Sequence, residues 1–125
     1  MEGSISRTMN VLREVHQERV CQDSKWGVQN HPSLDQVLLG RPGGCSPERM
    51  AEEYEICSEN RAKFLCEQAF QSGRGTYGHI AIEEMAEVTC AQDEQSIRAE
   101  LIQLAAVCVA WVEAIDRRSA NANAE

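Results

Sequence analysis

The chain is 125 residues long, with six cysteines, 42% hydrophobic residues and a formal net charge of −8. That length suits one domain with a modest core, and that charge argues against a general binder of phosphate backbones, so no nucleic-acid partner is expected. The acid is unevenly placed. Through Pro47, Glu2, Glu14, Glu18, Asp23 and Asp35 are matched by Arg7, Arg13, Arg19, Lys25 and Arg41, so the whole excess lies from Glu48 onward. An anionic ligand held there needs a cation to mediate.

In chain order, the pattern is helical almost everywhere outside residues 25–47. The spacing of Met9, Leu12, Val15 and Val20 predicts a first helix over 6–23. Next comes "KWGVQNHPSLDQVLLGRPGGCSP", whose glycines and prolines make a long loop, with room for a short helical turn at "SLDQVLL". "SPERMAEEYE" then restarts a helix, with Ser46 as N-cap and Pro47 in the first helical position. That second helix is predicted to run to Gln71 and end at "SGRG". "TYGHIAIEEMAEVTCA" is the third, and Asp93 caps a fourth that runs to Arg118, leaving 119–125 as a flexible tail. No strand is expected. The fold class is all-α, a single domain over 1–118.

The cysteines exclude some chemistry. Cys21, Cys45, Cys57, Cys66, Cys90 and Cys108 form no CxxC pair, and "MEGSISRTMNVLREV" carries no secretory signal. Reduced thiols in a cytoplasm are expected, rather than a disulfide framework. The histidines stand apart from the cysteines, which disfavours zinc. The longest apolar run, 104–112, is far too short to span a bilayer, so no membrane partner is expected. That run is apolar all round, however, and a helix without a polar face is buried on every side. Four helices cannot easily surround one of their own, which points to a homodimer or homotetramer.

The acids of the third and fourth helices carry the chemistry. Glu84 and Glu87 are one turn apart, as are Glu83 and Glu87, and Glu100 and Gln103 repeat the spacing on the next helix. A short connection makes consecutive helices antiparallel neighbours, so the two oxygen-bearing faces can meet. Such acids are solvated, paired with cations, or holding a hard ion such as magnesium or manganese. A ferritin-like di-iron site needs Glu-x-x-His, and none of His16, His31 or His79 has a glutamate three residues before it.

"EEMAE" followed by "RAEL" and a long apolar helix resembles the all-α nucleoside triphosphate pyrophosphohydrolases, the MazG-like group. "QDSKWGVQNHP" and "AELIQLAAVCVAWVEAIDRR" resemble one bacterial and bacteriophage branch of it; the likeness covers most of residues 10–118. It implies a four-helix, MazG-like bundle completed by oligomerisation. It also implies Glu84, Glu87 and Glu100 as metal ligands, with Gln103 where the broader family has aspartate. The cofactor implied is magnesium, with manganese as substitute, at two or more ions per site. Glu83 is either a base that orients the attacking water or a solvent-facing neighbour. The reaction implied is cleavage of a nucleoside triphosphate between its α and β phosphates. The branch implies dGTP and GTP as substrates, with dGMP feeding 2-aminoadenine nucleotide synthesis, in a host cytoplasm if phage-encoded. General house-cleaning of nucleotides and a non-enzymatic helical adaptor remain alternatives.

For the nucleotide, Lys25 and Trp26 precede Gln29, Asn30 and His31. An aromatic face beside amides suits a purine, which stacks while the amides read its edge. The competing reading is that Trp26 anchors the loop and Asn30 shapes a turn. Lys63, Arg74 and Arg98 are candidates for phosphate contact or plain surface charges, and Tyr77 and His79 sit one to two turns before the acids, placed to line the pocket.

Overall fold

A computed structural model describes residues 2–42 and 44–124. Among them the regular structure is helical throughout: α1 (Glu2–Trp26), α2 (Gln36–Leu39), α3 (Pro47–Tyr54), α4 (Glu59–Gln71), α5 (Tyr77–Cys90) and α6 (Glu94–Ala124). No helix among the described residues is long and apolar enough to cross a membrane. All six cysteines are free thiols.

Local chemistry explains most boundaries. Ser46 Oγ accepts the Arg49 N–H at 3.1 Å and Pro47 occupies the first turn of α3. Its missing N–H costs nothing there, because first-turn donors have no intrahelical acceptor. The short α2 opens on Asp35, whose Oδ1 accepts the N–H groups of Val37 and Leu38.

Three boundaries differ from the sequence pattern. The single helix predicted over 47–71 is two helices. At the break Glu55 is left-handed, with φ 53° and ψ 44°, and Ile56 N–H turns back to the Ala51 carbonyl at 3.0 Å. This is the helix end that glycine usually supplies. With glutamate there, the sequence shows no breaker. Ser58 then caps α4 through the Arg61 N–H at 3.3 Å. The second difference is α1, which continues to Trp26, so Lys25 and Trp26 lie on a helical turn rather than in the loop. The third is α6, which runs to Ala124 where a frayed tail is predicted over 119–125 (residue 125 lies outside the described residues). Alternating alanines in "ANANA" favour helix enough to offset the asparagines.

The chain divides into two compact units, one made of residues up to His31 with those from Cys108 onward, the other of Pro32–Val107. In the first, Thr8 Oγ1 donates to Glu113 Oε1 at 2.9 Å, joining α1 to the second half of α6. Val11 and Ala114 are its buried apolar residues. In the second, Leu34, Leu38, Cys45, Met50, Val88 and Ile97 form a core, with Leu39, Ala91 and Leu104 packed on it. Here α5 lies against both α4 and α3. Met50 is fully buried, and each such side chain contributes on the order of 2 kcal/mol by leaving water.

Candidate metal centre

The acidic site lies within the second unit, on α5 and the first turns of α6. Two caps set those helices. Thr76 Oγ1 accepts the His79 N–H at 3.3 Å and starts α5. Asp93 starts α6, its carboxylate accepting the Ser96 N–H and the Ser96 hydroxyl, each at 2.8 Å. Those bonds, the backbone N–H first, hold the Asp93 carboxyl below its usual range.

Glu84 and Glu87 project from α5 and Glu100 from α6, and one carboxylate oxygen of each lies within 4.8 Å of the others. All three side chains are half-buried. Glu84 Oε2 and Glu100 Oε2 are buried without a hydrogen-bond partner. Burial raises the Glu84 carboxyl, and the charge of Glu100 adds to it. Glu87 is pushed up to about 7, first by burial, then by its hydrogen bond with Glu100, then by the charges around it. Three carboxylates this close cannot all ionise cheaply. The donor set fits a hard divalent cation: oxygen ligands only, two of them buried and unsatisfied.

The other carboxylates nearby have partners of a different kind. Glu83 lies against the Cys66 thiol of α4, which burial and this carboxylate push up to about 11. Cys90, at the end of α5, is likewise pushed up to about 11, by burial and then by Glu59, with Glu48 and Glu87 adding to it. Glu48, Glu59, Cys66 and Cys90 are not among the residues the sequence pattern picks out. Glu48, Glu59 and Cys66 meet α5 from α3 and α4, and no local spacing announces such a meeting.

The remaining predicted site residues are distributed as follows. Gln103 is exposed, one turn beyond Glu100, and Arg98 and Lys63 are exposed as well. Tyr77 and His79 are half-buried on the first turn of α5. Lys25, Trp26, Gln29 and Asn30 belong to the first unit, not the one that carries the acids. Trp26 is 56% exposed, with Lys25 Nζ 4.9 Å from the centre of its ring, a cation–π contact.

Two cavities accompany the acids in the second unit. An apolar cleft of about 470 Å³ is lined by residues that include Tyr54, Ile56, Met85, Val88 and Leu101. Met85 and Leu101 directly follow Glu84 and Glu100 in the chain. A smaller cavity of about 310 Å³ lies where α4 gives way to α5. In comparisons with known proteins, the chain matches no family model, no curated protein and no solved structure.

Proposed function

We propose that this protein is a metal-dependent nucleoside triphosphate pyrophosphohydrolase of the MazG-like kind, acting on dGTP and GTP in remodelling of a phage nucleotide pool. The observation that carries the reading is the cluster of Glu84, Glu87 and Glu100, with two buried oxygens lacking any partner. A divalent cation satisfies both oxygens and relieves the mutual repulsion of the three acids. Residues that leave so much negative charge uncompensated are costly unless a cation completes them.

Glu84, Glu87 and Glu100 would hold magnesium, with the Gln103 carbonyl as a neutral further ligand. Bound there, the metal supplies charge neutralisation at the phosphates and a more acidic water. Water adds to the α-phosphorus, the bond to the oxygen bridging the β-phosphorus breaks, and the water's proton needs an acceptor. Glu83 is the acceptor we assign, since it adjoins the cluster in sequence and stands outside the set of ligands. The products are a nucleoside monophosphate and pyrophosphate. The first unit carries side chains of the chemistry a base needs: Trp26 as a stacking face with Lys25 over its ring, and Gln29 and Asn30 as amides able to read a base edge. The apolar cleft next to Glu84 and Glu100 in the chain is a second surface of the right chemistry. Lys63, Tyr77 and Arg98 complete the substrate contacts.

The functional unit in this reading is a homodimer or homotetramer. Leu101, Ile102, Val112 and Ile115 are all exposed on α6 of the single chain, Ile102 at 58%. A second chain would cover them. That same feature favours the competing reading, a helical adaptor oligomer with no chemistry of its own.

One experiment separates these. The protein is incubated with each of eight nucleoside triphosphates and magnesium, with and without EDTA, and the products are separated. Pyrophosphate release that stops in EDTA is expected, fastest with dGTP. Orthophosphate alone, or undiminished turnover in EDTA, overturns the mechanism, and no turnover with any nucleotide leaves the adaptor.

A further inference from the structure

Chain chemistry at the α4–α5 junction is unlike that of the rest of the molecule. In a protein of net charge −8, the cavity there is lined by Gln68, Ala69, Ser72, Arg74 and His79. Every polar side chain among these can donate a hydrogen bond, and none is a carboxylate. At about 310 Å³ it sits at the small end of ligand pockets. Arg74 makes no ion pair among the described residues, where Arg19 and Arg49 are paired with Asp23 and Glu53.

The backbone fixes this rim. Arg74 N–H bonds to the Ala69 carbonyl at 2.7 Å and Gly73 N–H to the Phe70 carbonyl at 3.2 Å. Gly73, at φ 76°, makes the left-handed step that this helix end requires. Gly75 must also be glycine, because a Cβ there would run into the Phe70 ring. Arg74 thus lies between a left-handed Gly73 and a Gly75 that packs against the Phe70 ring.

On the other wall, Thr76 Oγ1 accepts the His79 N–H, and it lies 2.7 Å from His79 Nδ1. Its hydroxyl hydrogen is therefore free to donate to Nδ1. The neutral ring then carries its own hydrogen on Nε2, which is left as a donor for a ligand. His79, Glu83 and Glu87 are four residues apart in turn, so they follow one another along a single face of α5. From His79 to Glu83 is about 6 Å of helix, and to Glu87 about 12 Å.

We propose that this cavity is an anion site that receives the pyrophosphate end of the nucleotide, with Arg74 and the His79 Nε2–H as its donors. The assignment rests on the pyrophosphohydrolase reading above and gives the substrate a direction. The α-phosphate lies at the acids and the terminal phosphates lie toward the α4–α5 junction. Arg74 offers the terminal phosphates a paired N–H fork that no residue of the acidic cluster can supply. The site binds what leaves, so it acts on affinity for the triphosphate and for pyrophosphate, and not on the monophosphate.

The test is titration of inorganic pyrophosphate into the full-length protein with magnesium present, followed calorimetrically, beside steady-state kinetics. Arg74→Gln should weaken pyrophosphate binding and raise KM by about tenfold or more, the effect of losing one hydrogen bond to a charged group. It should change kcat by less than about threefold and leave monophosphate binding unaltered. Arg74→Lys should recover part of the loss, and His79→Phe should weaken binding without lowering the melting temperature. If pyrophosphate binds Arg74→Gln as it binds the wild type while Glu84→Gln abolishes turnover, the anion site is wrong and the hydrolase reading stands. If no nucleotide is turned over yet pyrophosphate binding still depends on Arg74, the site stands and the hydrolase reading falls.

Discussion

Glu87 is where the protein's response to pH concentrates. Its carboxyl is raised from 4.5 to about 7, by burial first and then by the hydrogen bond with Glu100. A raised carboxyl means that the folded protein holds a proton which the unfolded chain releases between those two values. Linkage then makes the Glu87 contribution to metal-free stability greatest below 4.5 and has it decline as the pH rises to about 7. Metal binding at the cluster would run the other way, since an ion would have to displace that proton. Magnesium affinity should climb by up to about tenfold per pH unit below 7 and level off above it, with one proton released. Calorimetry in two buffers of different ionisation enthalpy reads the proton directly, and an affinity flat from pH 5.5 to 8 would contradict the assignment. Glu84→Gln, Glu87→Gln and Glu100→Gln should each lower kcat by about a hundredfold or more, the scale of losing one preorganised electrostatic group. The same changes should raise the melting temperature of the metal-free protein, because a crowded carboxylate has gone. Wild-type rates in all three variants would make the acids mere surface.

Among the elements, the break between α3 and α4 is the most instructive. The left-handed conformation costs a residue with a side chain about 1–2 kcal/mol, of which glycine's greater freedom when unfolded takes back about 0.5–1. Glu55→Gly should therefore stabilise the protein by up to about 1 kcal/mol and leave catalysis alone, as a urea midpoint beside a rate assay can check. Helix starts were legible in the sequence because a cap is chemistry within four residues: Ser46 with Pro47, and Asp93 with Ser96. The break at Glu55 was not, because no glycine or proline marks it and its residue is one that usually continues a helix. Of the site, the pairing of Glu84 and Glu87 could be read from helical spacing alone. The arrival of Glu100 needed only a short connection, whereas the Cys66 thiol beside Glu83 needed the fold of α4 on α5. Trp26 stands between these cases. Its position at the end of α1, 56% exposed, argues against a role as core anchor. Trp26→Ala should leave the melting temperature unchanged and weaken substrate by about 1–3 kcal/mol if the ring stacks on a base, with KM rising and kcat kept. An unchanged KM would move the base to the cleft lined by Met85 and Leu101.

At the scale of the whole molecule, the exposed apolar side chains of α6 predict association. Sedimentation at micromolar concentration should show a dimer or tetramer, and a stable monomer would remove the interface. The six thiols have a separate consequence. Cys21 and Cys108 are exposed, whereas Cys90 is half-buried and held at about 11 by burial first, then by Glu59, with the charges of Glu48 and Glu87 adding the least. A thiolate, not a thiol, reacts with alkylating agents. A cation arriving at Glu87 cancels some of the charge that keeps Cys90 protonated, so iodoacetamide should modify Cys90 faster when magnesium is added. The two exposed thiols, on the same chain and in the same tube, set the reference rate. Cys90 would then report a cation's arrival in peptide mass, with no nucleotide and no turnover required, and an unchanged rate would count against an ion at Glu87.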